Sequence, residues 1–198
     1  LIVVACVPAG ILGFFLKGPL NELFGHPGLA AFLLVVNGLV LLAGERLRTQ
    51  SRVSLVSART GETPQRMTLG KLGFAPALEI GAAQALALLP GFSRSGTSMV
   101  GGLLARLDHL SAARFSFLLA TPLILAAALV EVPEVFKPHA INGPGLAAMG
   151  FLVSGVTAFL AVRYLMHYFE TDRLDPFAYY CLGAGVLSLV VLAVRGAL

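Results

Sequence analysis

KLGFAPALEIGAAQALALLPGFSRSGTSMVGGLLARL, residues 71–107, decides how the rest of the chain is to be folded. Its first half, 72–89, is apolar apart from Glu79, and it ends at Pro90-Gly91. A polar cluster follows, and then nine apolar residues, 97–105. Nine residues of helix rise roughly 14 Å at 1.5 Å each, about half a hydrocarbon core. Helix, broken polar turn and short helix predict a re-entrant hairpin over 72–107. Such backbone is tolerated at membrane depth only where protein or a watery cavity surrounds it.

The membrane setting follows from composition. Hydrophobic residues make up 57% of the 198 and charged residues 12%, with mean hydropathy +0.86. Soluble domains carry about 25% charged residues, and a soluble core of this size could not bury so much apolar surface. Five further uncharged runs, 1–16, 28–44, 115–130, 145–162 and 176–194, hold 16 to 19 residues each. As helices they are near the minimum for a span, and helix is the form that satisfies backbone groups in lipid. The expectation is an all-α polytopic membrane protein, a single domain over 1–198. It would have about five transmembrane helices, kinked at Pro8 and Pro122, plus the re-entrant hairpin. The chain opens in mid-hydrophobic run at Leu1, without a charged n-region, so a truncated start is expected rather than a signal peptide.

Charge sets the orientation. Segment 45–71 carries Arg46, Arg48, Arg52, Arg59, Arg66 and Lys71 against Glu45 and Glu62. The positive-inside rule makes it a basic cytoplasmic loop. With a re-entrant hairpin, Arg106, Arg114, Arg163 and Arg173 return to the same side, leaving Lys17, Lys137 and Arg195 outside. The scattered positive charge is not a nucleic-acid footprint, because no basic stripe or stacking platform accompanies it.

Arg94 is the sharpest chemical feature. An arginine between apolar helical stretches is costly in lipid and requires a cavity or a partner. Its planar fork of donors matches phosphate or carboxylate. Ser93 and Ser95 flank it, Gly91 and Gly96 allow sharp turning or close approach, and Thr97 and Ser98 open the next helix. Free N–H groups at that helix start favour an anion. The alternative is structural: Arg94 pairs with Glu79 or a helix C-terminus, and the serines cap a helix.

Pro90-Gly91-Phe92-Ser93-Arg94-Ser95-Gly96 resembles the second signature of the undecaprenyl pyrophosphate phosphatase family, of the bacitracin-resistance type. Ala83-Gln84-Ala85-Leu86-Ala87-Leu88-Leu89 resembles that family's lead-in, and Ser116-Phe117-Leu118-Leu119-Ala120-Thr121-Pro122 the segment that follows. Phe177-Ala178-Tyr179-Tyr180 sits where the family has a similar aromatic run. Stretches 8–16 and 38–45 match in character and order, so the likeness covers the whole chain.

The resemblance implies hydrolysis of undecaprenyl pyrophosphate to undecaprenyl phosphate, recycling the carrier lipid of cell-wall synthesis and conferring bacitracin resistance. It implies an inverted-repeat fold in the bacterial inner membrane, with the site opening to the periplasmic face. Arg94 would grip the pyrophosphate, with Ser95, Gly96, Thr97 and Gly91 around it. Ser93 would be a ligand or the nucleophile. A divalent cation, Mg or Ca, is implied as cofactor, and a homo-oligomer is left open. The family's first signature, two glutamates before a Pro-x-Ser-Ser-Thr-Gly-His run, is not in this sequence. Ala83 and Ala87 stand at the equivalent repeat positions, so no metal ligand is identified here and the 198 residues alone are not expected to turn over. A different class, a non-catalytic transporter or carrier of an anionic polyprenyl lipid, fits a broken helix as well.

The other polar residues read as structural. His26, His109, His139 and His167 are never at ligand spacing and read as interfacial or loop residues. Cys6 and Cys181 read as buried, inert thiols. Glu79 reads as a packing or Arg94-pairing residue, and Tyr179 and Tyr180 as interfacial belt residues.

Overall fold

The computed structural model describes residues 1–55, 68–133, 144–171 and 174–196. Helices α1 (Ile2–Phe15) and α2 (Lys17–Phe24) lead into α3 (Pro27–Leu55). The hairpin is α4 (Phe74–Ala85) with a 3-10 turn at Leu86–Leu88, then α5 (Arg94–Leu104). Three long helices follow: α6 (His109–Glu131), α7 (Pro144–Tyr168) and α8 (Asp175–Val194).

Four stretches are long and apolar enough to cross a bilayer: Pro27–Leu47, His109–Ala126, Gly145–Tyr168 and Asp175–Val194. The α1–α2 pair, bent by 79°, makes a fifth if it crosses as one span. The chain is therefore an all-α polytopic membrane protein, with four spans among the described residues, or five with the bent pair. Pro8 and Pro122 both lie inside helices, and a bend of 79° falls between α1 and α2.

The basic segment 45–71 differs from a loop at its start. Helix α3 runs on to Leu55, so Arg46, Arg48 and Arg52 ride on a helix. No Gly or Pro follows Gly44 until well past Leu55, and Glu, Arg, Leu and Gln are good helix formers. Residues 56–67, with Arg59, Glu62 and Arg66, lie outside the described residues, as do His139, Lys137 and Arg173.

Helix α4 packs on α5 through small residues. A β-carbon on Gly101 would come 2.8 Å from Ala83 Cβ and 3.2 Å from Ile80 Cα. On the other side, one on Gly81 would strike the backbone of Ala5 in α1, 2.8 Å from its carbonyl carbon. Gly38 and Gly185 do the same between α3 and α8. In lipid, helices associate by such close packing rather than by the hydrophobic effect.

Two buried clusters result. Ala5, Ala77, Ile80, Met99, Leu103 and Leu119 join α1, α4, α5 and α6; Leu41, Val100, Ala178 and Cys181 join α3, α5 and α8. Helix α5 ends in a Schellman turn: Leu107 N–H donates to the Gly102 carbonyl (2.9 Å) and Arg106 N–H to that of Leu103 (3.1 Å). Arg106 takes the left-handed conformation there, at φ 70°.

Candidate anion site at the hairpin tip

Residues 89–97 bring the sequence-predicted site together in one turn of chain. Leu89 and Ser93 are extended, with Gly91 between them at φ +88°. Gly91 is required twice over. Its φ is one that side chains avoid, and a β-carbon there would collide with the Ala30 carbonyl oxygen and lie 2.9 Å from Leu34 N. The tip is thereby pressed against α3.

Ser93 is the N-cap of α5, its hydroxyl accepting from Gly96 N–H at 3.2 Å. This satisfies one of the donors a helix start leaves unpaired. Thr97 points inward: it is buried, and its hydroxyl donates to the Ser93 and Arg94 carbonyls, 3.1 Å each. Its side chain props the first turn and does not face a ligand. Ser98 is likewise buried, 2.8 Å from the Arg94 carbonyl and 2.6 Å from the Ser116 hydroxyl of α6. Ser116 in turn donates to the Ser95 carbonyl at 3.2 Å. The carbonyl side of this turn is thus tied down by Thr97, Ser98 and Ser116.

What remains outward is the anion-seeking side. Arg94 and Ser95 are exposed, and among the described residues neither the guanidinium nor the Ser95 hydroxyl has a hydrogen-bond or ion-pair partner. Glu79 is exposed on α4 and does not pair with Arg94. Ser93 does cap the helix, so the structural alternative holds for that residue and not for Arg94. A forked cation beside a hydroxyl and free N–H groups at a helix start is chemistry for a phosphate. Among the described residues no group of three or more His, Cys, Asp or Glu could hold a metal ion.

Three polar positions carry more than their sequence reading allowed. Asn37 of α3 is fully buried; its Oδ1 accepts from Ser93 N–H (3.2 Å) and its Nδ2 donates to Cys181 Sγ of α8 (3.3 Å). It is the one polar residue in the apolar run 28–44, and that isolation was the available signal. His109 is not interfacial but buried, with Nε2 2.8 Å from Glu45 Oε2. Gln84 of α4 is 2% exposed, and among the described residues neither its amide nitrogen nor its amide oxygen has a partner. His26 and His167 are exposed, bonded to the Glu22 carbonyl and to Glu170. Tyr179 and Tyr180 lie exposed on α8.

A helical hairpin that presents an exposed arginine among helices of membrane length defines a polytopic membrane protein with a broken helix. Comparison with known proteins narrows the class. The family model of the bacitracin resistance protein BacA matches residues 1–187, and the chain belongs to that family. The undecaprenyl-diphosphatase of Mycolicibacterium paratuberculosis is 46% identical over 202 residues, covering 98% of this chain and 66% of that protein. That of Acidiphilium cryptum is 45% identical over 197 residues, covering 96% and 66%. Undecaprenyl-diphosphatase 2 of Frankia alni is 41% identical over 236 residues, covering 98% and 69%. The chain thus spans about two thirds of the length of these relatives.

Proposed function

We propose that the protein serves in the hydrolysis of undecaprenyl pyrophosphate to undecaprenyl phosphate and inorganic phosphate, with the hairpin tip as the grip on the pyrophosphate. The observation that carries this reading is the unpaired Arg94 guanidinium at the first turn of α5, in a chain whose relatives are named undecaprenyl-diphosphatases. Arg94 and Ser95 bind the phosphate oxygens, and Arg94 neutralises the charge that grows on them as the P–O–P bond breaks. Ser93 stands next to them with its oxygen on Gly96 N–H and its own proton free to donate. The apolar hairpin and the lipid beside it take the polyprenyl tail, and the tip opens to the periplasmic face.

Among the described residues no acidic, His or Cys cluster comes together that could hold a divalent cation, so these residues contribute the grip on the anion.

The test uses the full reading frame, purified in detergent with a polyprenyl pyrophosphate. Arg94→Ala and Arg94→Lys are both expected to lower hydrolysis about a hundredfold, because Lys keeps the charge and loses the fork. Ser93→Ala separates that hydroxyl's roles: complete loss assigns the nucleophile, partial loss a ligand. Near-normal turnover by Arg94→Ala would falsify the site. Binding without any hydrolysis by the wild-type protein would turn the reading to the carrier class.

A further inference from the structure

We propose that Asn37 is the positioning residue of the hairpin tip, and that it holds the Ser93–Arg94 turn in register by tying it to α8 through Cys181. The inference rests on the reading of this turn as the substrate grip.

The carbonyl side of the tip is held by Thr97, Ser98 and Ser116, and its N–H side is held differently. Its residues precede α5, so the Ser93 N–H lies outside the helix's hydrogen-bond ladder. Among the described residues its acceptor is the Asn37 Oδ1 at 3.2 Å. Asn37 can serve because it is itself fixed: it is 0% exposed, and its other amide atom is held by Cys181 Sγ at 3.3 Å. An amide in the middle of an apolar span costs stability unless both ends are satisfied. Here both are, by two different elements.

The neighbouring contacts show that this face of α3 is a seat for the hairpin. Ala30 and Leu34 meet Gly91, Leu41 meets Gly96 (3.2 Å to a β-carbon placed there), and Gly44 meets Val100 (2.8 Å). Positions 30, 34, 37, 41 and 44 recur at the 3- and 4-residue spacing of one helix face. Asn37 is the one polar member, and it falls opposite Ser93. The apolar contacts fix how near the tip lies to α3. Among these contacts with α3 only the Asn37 bond is directional; Thr97, Ser98 and Ser116 hold the carbonyl side of the turn, and Asn37 holds its N–H side at Ser93, next to Arg94.

The experiment compares the wild-type protein, Asn37→Leu and Asn37→Thr in the full reading frame, by hydrogen exchange and by steady-state hydrolysis. Leu keeps the branched shape at Cγ without an acceptor. Thr satisfies its hydroxyl on its own helix's preceding turn, so it too leaves Ser93 N–H without one. Both variants are expected to exchange the 89–97 segment about fivefold to tenfold faster, with α8 unchanged. Both are expected to lower kcat between about tenfold and a hundredfold with a smaller change in KM, as misaimed groups do. Unchanged exchange over 89–97 in Asn37→Thr overturns the proposal. So does faster exchange spread evenly through α3 and α8, which marks a packing role alone. Local acceleration in a protein whose wild type hydrolyses nothing upholds the positioning role and sinks the phosphatase reading instead.

Discussion

Gly91 and Arg106 both hold positive φ, at 88° and 70°, and predict opposite outcomes for single substitutions. At Gly91 a side chain meets left-handed backbone and the α3 main chain together. Gly91→Ala is therefore expected to lower the thermal midpoint and displace the tip, at a cost of more than about 2 kcal/mol. At Arg106 the same conformation closes a Schellman turn in an exposed position. Glycine relieves the strain there, so Arg106→Gly is expected to stabilise by about 1 kcal/mol, read as a raised midpoint in detergent. The sequence made Gly91 legible, because Pro-Gly before a polar cluster marks a break. It could not make Arg106 legible, since nothing in Leu-Ala-Arg-Leu demands a left-handed residue. Arg94 was legible for the opposite reason to Asn37: a charge in an apolar setting announces itself, whereas one amide among sixteen apolar neighbours reads as part of a span.

Among the elements, the hairpin was readable as helix, break, helix because Pro90-Gly91 and the short stretch after it leave no other solution. Its boundaries were less so. Helix α5 begins at Arg94 rather than Thr97, because Ser93 caps it from the side chain, which puts Arg94 on the first turn of the helix rather than in the loop. Thr97, which the family resemblance sets around the pyrophosphate, is turned inward by its two backbone bonds. His109 was misjudged through the same blindness to tertiary partners: Glu45, sixty-four residues away, is brought beside it only by the packing of α3 on the start of α6. Within α4, Gln84 is a buried amide without a partner. A buried unsatisfied donor and acceptor cost about 1–3 kcal/mol each, and an apolar isostere removes that cost. Gln84→Leu is accordingly expected to keep or raise the thermal midpoint. A drop of several degrees would show that the amide is bonded after all.

For the whole molecule, the helix number and the membrane setting followed from run lengths, but which helices share a seat did not. The two clusters and the glycine contacts divide α1, α4, α5 and α6 from α3 and α8, with α5 reaching both. That arrangement places the tip where α3, α5 and α6 meet, and it bears on topology. Helices α4 and α5 are 12 and 11 residues long, roughly 18 and 16 Å, so neither crosses a core of about 30 Å alone. Paired through Gly101, they are expected to enter and leave by one face, with residues 71 and 106 on the same side of the membrane as the basic end of α3. His26, exposed at the start of α3, is expected on the other. Lys71, Arg106 and His26 are all exposed. Single cysteines at those three positions, in a background with Cys6 and Cys181 replaced by alanine, are to be treated with an impermeant thiol reagent in intact cells and in inverted vesicles. Positions 71 and 106 are expected to react in vesicles and not in cells, and position 26 in cells. Opposite behaviour of 71 and 106 would mean that α4 and α5 cross the membrane together as one broken span, and would overturn re-entrance.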